Sequence, residues 1–159
     1  MDMADEKKGG WIFDQLMVVG ELEAAMNHND EEICNLHESI EGSTDPKEVE
    51  QLADQLNSNY EIIKIDYKAR VDALNQIFDA VDGSNRHYYC QLKHRAALFV
   101  MAAENFHARN GSPEAERTLV EAGKSLALTC SLAFGFEPFS CLRCLDEKIT
   151  EVTGAKKAD

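Results

Sequence analysis

Proline and glycine are scarce, at 3 and 9 among 159 residues, and most of them fall in clusters. So few breakers exclude collagen-like and low-complexity architectures. Basic residues are short as well: 16 Lys and Arg stand against 29 Asp and Glu, a net charge of −13 with His neutral. That deficit excludes a general nucleic-acid binder, because a phosphate backbone would be repelled by such a surface. Long apolar runs are missing too. The best candidate, residues 11–19, is interrupted by Asp14 and Gln15, whereas a transmembrane helix needs about 20 apolar residues. No membrane partner is expected. The first ten residues are polar with no net positive charge, so no secretion signal is expected either. The five cysteines are an odd number. Together these features predict a cytoplasmic protein whose cysteines are free thiols or metal ligands.

Catalytic motifs are also lacking. There is no Gly-x-Ser-x-Gly, no Gly-rich phosphate loop and no His-Glu-x-x-His, so the chain reads as non-enzymatic. Glu104 and His107 form one Glu-x-x-His. A di-iron bundle needs a second such pair, and none of the other His residues has a Glu three positions before it.

What is present is helical. Hydrophobic residues make up 44% and charged residues 28%, a balance that supports a packed core. Breaks at 42–46, 83–84, 110–113 and 135–138 leave segments 11–41, 46–81, 85–109, 113–134 and 139–152. Pro46 and Pro113 follow capping residues, and Gly83, Gly135 and Gly154 mark helix ends. No segment alternates with period two. The predicted fold is all-α: a bundle of four to five helices with a long antiparallel helical hairpin from the first two. The predicted organisation is a flexible N-terminus over 1–10, one helical domain over 11–153 and a flexible C-terminus over 154–159.

The second segment has the clearest pattern. Val49, Leu52, Leu56, Tyr60, Ile63, Tyr67, Val71, Leu74, Phe78 and Val81 form one stripe with a mean step near the helical ~3.6. Ile62, Ile65, Ala69, Ala73, Ile77 and Ala80 form a second stripe. A helix apolar on two sides sits between two neighbours or at a homodimer contact.

Charge is sharply divided along the chain. Residues 1–66 hold 17 acids and 4 bases, a net of −13, while residues 67–159 hold 12 of each. The leading functional reading is therefore an acidic helical arm that binds, and inhibits or regulates, a basic protein partner. Its candidate contact residues are Glu21, Glu23, Asp30, Glu31, Glu32, Glu38, Glu41, Glu48, Glu50 and Asp54. In its most concrete form the partner handles nucleic acid, and these carboxylates imitate the phosphates of a duplex.

The alternative reading is a metal-stabilised helical domain. Cys34 with His37, His87 with Cys90, and Cys141 with Cys144 are all three residues apart, so each pair shares a helix face. Zinc takes four such ligands in a tetrahedron. The predicted set is Cys141 and Cys144 with Cys34 and His37, or with His87 and Cys90 as the substitute pair. No other cofactor is expected. A further alternative is a small helical enzyme or ligand binder near Arg86, His87 and His94, where basic residues stand beside Tyr88 and Tyr89.

Overall fold

The computed structural model describes residues 3–154. Five helices follow one another: α1 (Met3–Gly42), α2 (Pro46–Asp79), α3 (Tyr89–Ala108), α4 (Pro113–Phe134) and α5 (Pro138–Thr153). A single 3-10 turn, Arg86–Tyr88, leads into α3, and no strand occurs among the described residues. The helix ends follow the local chemistry. The Lys47 amide donates to Asp45 Oδ1 at 3.1 Å and the Ala115 amide to Ser112 Oγ at 3.3 Å, each capping a helix that opens with proline. α4 closes on Gly135, whose positive φ of 70° suits a residue without a β-carbon.

α1 begins at Met3, well before the start expected at residue 11. Gly9 and Gly10 read as a breaker in the sequence, yet Gly9 is buried within the helix. Helix packing overrides glycine's weak intrinsic preference there. Of the termini expected to be flexible, residues 3–10 are thus helical, while residues 1–2 and 155–159 lie outside the described residues.

All five helices feed one core. Ile12, Phe13, Leu16 and Val19 of α1 meet Leu74, Ile77 and Phe78 of α2, Leu92 and Phe99 of α3, Leu119 and Leu126 of α4, and Leu145 of α5. α1 packs on α2, α3 and α5, and α4 lies between α3 and α5. The α1–α3 contact is a close backbone approach. A β-carbon at Gly20 would lie 2.4 Å from the Ala96 carbonyl oxygen, so only glycine fits.

The first two helices outrun this core. At 1.5 Å per residue, the 40 residues of α1 span about 60 Å and the 20 of α3 about 30 Å. Between residues 21 and 72 only Ile33 and Arg70 are buried. The outer halves of α1 and α2 therefore form an arm with a seam instead of a core. Along that seam the less exposed positions are Leu22, Met26, Asn29, Ile33, Leu36 and Ile40 on α1. On α2 they are Val49, Leu52, Leu56, Asn59, Ile63 and Asp66.

These steps alternate between three and four, the 3.5-residue repeat of a coiled coil. The expected α2 stripe followed a 3.6 period, and the two periods diverge by about 20° per heptad. That drift explains a difference on α2. Tyr60 and Tyr67, expected in the stripe, are exposed, while Asn59 and Asp66 take the seam positions. The second stripe splits: Ala73 and Ile77 enter the core, but Ile62, Ile65 and Ala69 stay exposed.

Candidate functional site

The arm carries most of the molecule's charge. Residues 24–66 hold 11 acids and 2 bases, a net of −9 out of the total of −13. Seven-residue spacing puts Glu31 and Glu38 of α1 on one face, away from the seam. On α2, Glu50, Asp54 and Glu61 follow at spacings of four and seven and form a second outer row. All five are exposed, as are Glu21, Asp30, Glu32, Glu41 and Glu48. Glu32 Oε1 lies 3.3 Å from His28 Nε2 one turn earlier, both well exposed.

Glu23 is the exception among the expected contact residues. It forms an ion pair with Arg70 of α2, and both side chains are largely buried. Arg70 also sits over the Tyr67 ring, 5.1 Å from its centroid. Glu23 therefore ties the two helices together where the arm leaves the core. Further out, His37 Nε2 lies 3.3 Å from the Tyr60 hydroxyl, which keeps the same antiparallel register.

The predicted metal ligands are not brought together. Cys141 and Cys144 are buried in the first turns of α5. A β-carbon at Gly9 would lie 3.0 Å from Cys144 Sγ, and Cys34 stands 25 residues further along the same helix. That separation is about 37 Å, whereas zinc–sulfur bonds are about 2.3 Å. Cys34 and His37 lie exposed on the arm, and the substitute pair, His87 and Cys90, is exposed around the start of α3. Among the described residues no three His, Cys, Asp or Glu side chains are grouped to hold a metal ion.

What does gather is the predicted Cys141–Cys144 pair with a third thiol, Cys130, that sequence spacing did not reveal. Cys130 of α4 is buried close enough to Cys141 and Cys144 to feel both. Burial first, and the neighbouring thiols second, push Cys130 well above the ordinary thiol range. The same causes push Cys141 up to about 11. Cys130 has no Cys or His three residues away, so only tertiary packing joins it to the pair.

The basic cluster at the start of α3 is similarly spoken for. Arg86 donates to Asn75 Oδ1 at 2.9 Å and to Asp79 Oδ1 at 2.6 Å, and it lies over the Phe78 ring. It secures the α2–α3 connection, while His87 and His94 are exposed beside it.

No helix among the described residues is long and apolar enough to cross a membrane. No protein-family model, curated protein sequence or solved structure matches the chain.

Proposed function

We propose that this chain is an acidic interaction protein whose α1–α2 arm docks on a basic surface of another protein. One observation carries the reading: a net charge of −9 lies on residues 24–66, with Lys47 and Lys64 as the only opposing bases. A field of one sign on a narrow projection attracts a basic partner over a Debye length, about 8 Å at physiological salt. The coiled-coil seam holds the carboxylates in fixed rows at little cost to the core.

The density of charge decides how far duplex imitation goes. The 19 residues from 24 to 42 rise about 28 Å, so the arm carries one net charge per ~3 Å. Double-stranded DNA carries one per ~1.7 Å of axis. At about half that density, the arm fits a groove or channel that is basic without being shaped for a full duplex. Blocking such a channel in a nucleic-acid-handling protein is the concrete form of this function.

The test is a footprint. A lysine-rich helical peptide is titrated into isotopically labelled protein at low salt, and backbone amide shifts are followed. The proposal expects the shifting amides to fall on residues 24–66. Shifts concentrated on α3 and α4, or spread evenly, would overturn it.

A further inference from the structure

Toward the end of α1 opposite the arm tip, Gly9, Ile12 and Phe13 meet Cys130 of α4, the connecting turn and α5 around a partly open cavity of about 230 Å³. Its walls include Ile12 and Phe13 of α1, Cys130 of α4, Phe136 of the connecting turn, and Cys141 and Cys144 of α5. Protein cores pack at a density near 0.75, with few voids larger than a water molecule. A space this size needs a local cause, and the sequence supplies one. Gly9, Cys130, Cys141 and Cys144 are all small, and they line the cavity where neighbouring layers hold Leu16, Leu126 and Leu145.

The size of the cavity sets the size of its occupant. A buried apolar cavity of about 150 Å³ accepts benzene, with six non-hydrogen atoms. At the same space per atom, this one accepts about nine, the size of a bicyclic aromatic ring. Wall chemistry sets the rest. Two of the walls are the aromatic side chains of Phe13 and Phe136, and three are sulfurs, which make favourable contacts with ring edges.

Charge is disfavoured inside. Burial pushes the Cys130 and Cys141 thiols above their ordinary value, and the same desolvation would penalise a ligand carboxylate. At the rim, Glu137 is exposed and would repel an anion.

We propose that the cavity between α1, α4 and α5 binds a small neutral aromatic molecule of about nine non-hydrogen atoms, seated against the sulfurs of Cys130, Cys141 and Cys144. The site is independent of the acidic arm.

Indole is the probe for the test, and the full chain is used. Two readouts are taken together: side-chain and amide NMR shifts, and the rate at which each cysteine reacts with N-ethylmaleimide, read by peptide mass spectrometry. Cys34 and Cys90 are exposed and serve as internal references. The proposal expects saturable shifts at Ile12, Phe13, Cys130 and Ser140. It also expects labelling of Cys141 and Cys144 to slow by about tenfold, the ratio when bound protein outnumbers free by ten to one. Cys34 and Cys90 should be unaffected. Benzoate, an aromatic anion with the same nine non-hydrogen atoms as indole, should give no saturable shift.

A Cys130→Leu variant should fill the cavity and abolish both effects of indole. Gly9→Ala, which presses on Cys144, is the second variant should the first fail to fold. No saturable shift up to the solubility of indole would overturn the proposal. So would equal shifts in a folded filled variant.

Discussion

Arg70 and Glu23, 47 residues apart in sequence, form an ion pair at the root of the arm, and Arg70 is only 7% exposed. The Arg70 Nε is buried without a hydrogen-bond partner of its own, so the pair is poorly placed to tolerate further loss. Breaking a buried pair from one side leaves an uncompensated charge and costs about 3 to 5 kcal/mol. Glu23→Ala should therefore destabilise the protein by about 3 kcal/mol in urea unfolding. Replacing both partners by apolar residues, Glu23→Leu with Arg70→Met, should recover most of that loss. A single variant as stable as the parent would remove the pair from the account.

Two glycines in α1 give opposite expectations. Gly20→Ala drives a β-carbon to within 2.4 Å of the Ala96 carbonyl and 2.7 Å of Val100 Cγ2. Backbone cannot yield cheaply there, so the substitution should cost about 1 to 3 kcal/mol. Gly42 meets nothing within 4 Å and lies in the last turn of α1. Gly42→Ala should be neutral or stabilising by about 0.5 to 1 kcal/mol. Thermal melts of the two variants, run side by side, check both signs.

The buried thiols make stability fall in alkali. Folding raises the Cys141 thiol from 9.0 to about 11, and Cys130 moves the same way. Between these values the unfolded chain has released protons that the folded chain still holds. Stability must then decline as pH rises through that window. Lys148 reinforces the decline. Burial pulls its ammonium down, but hydrogen bonds to Asp14 and Glu151 outweigh that and raise it overall. Its contribution is complete below its ordinary value and fades as pH passes the raised one. Melting temperatures measured from pH 8 to 11 should fall steadily under reducing conditions. Cys141→Val should flatten the part of the decline that begins near pH 9.

The polar seam position on α2 should cost stability. Asn59 lies in the arm seam between Leu56 and Ile63. Its side-chain amide donates back to the Gln55 carbonyl of its own helix at 3.0 Å, so it contributes a polar group to the seam at a cost in stability. Asn59→Leu should raise the melting temperature. The contact of His37 with Tyr60 should persist, seen as unbroadened amide signals for the arm.

Helix number and the hairpin were legible because the breaks carry their own chemistry. Asp45 before Pro46, Ser112 before Pro113 and Gly135 after Phe134 each act in the structure as the sequence implies. The start of α1 was not legible, since Gly9 and Gly10 look like a break until α5 packs beside Gly9. Among the acidic candidates, nothing in the sequence separates Glu23 from Glu21. Only the antiparallel register brings Arg70 to one and leaves the other exposed. The cysteines teach the same lesson. Spacing suggested joining the Cys34–His37 pair to the Cys141–Cys144 pair. Yet α5 packs near Gly9 of α1 and the rise of α1 carries Cys34 far from there, while packing joins Cys130 to Cys141 and Cys144.

The proposed docking of the arm on a basic partner is measured most directly by its dependence on salt. Binding of the lysine-rich peptide is compared for the parent, for Asp30→Asn, Glu31→Gln and Glu32→Gln together, and for Glu114→Gln, Glu116→Gln and Glu121→Gln on α4. Each exposed ion pair contributes about 0.5 kcal/mol, so the arm triple should lose roughly tenfold in affinity at low salt. Its dependence on salt should be shallower than the parent's. The α4 triple should stay close to the parent. Equal losses for both triples, or none for the arm, would contradict the account.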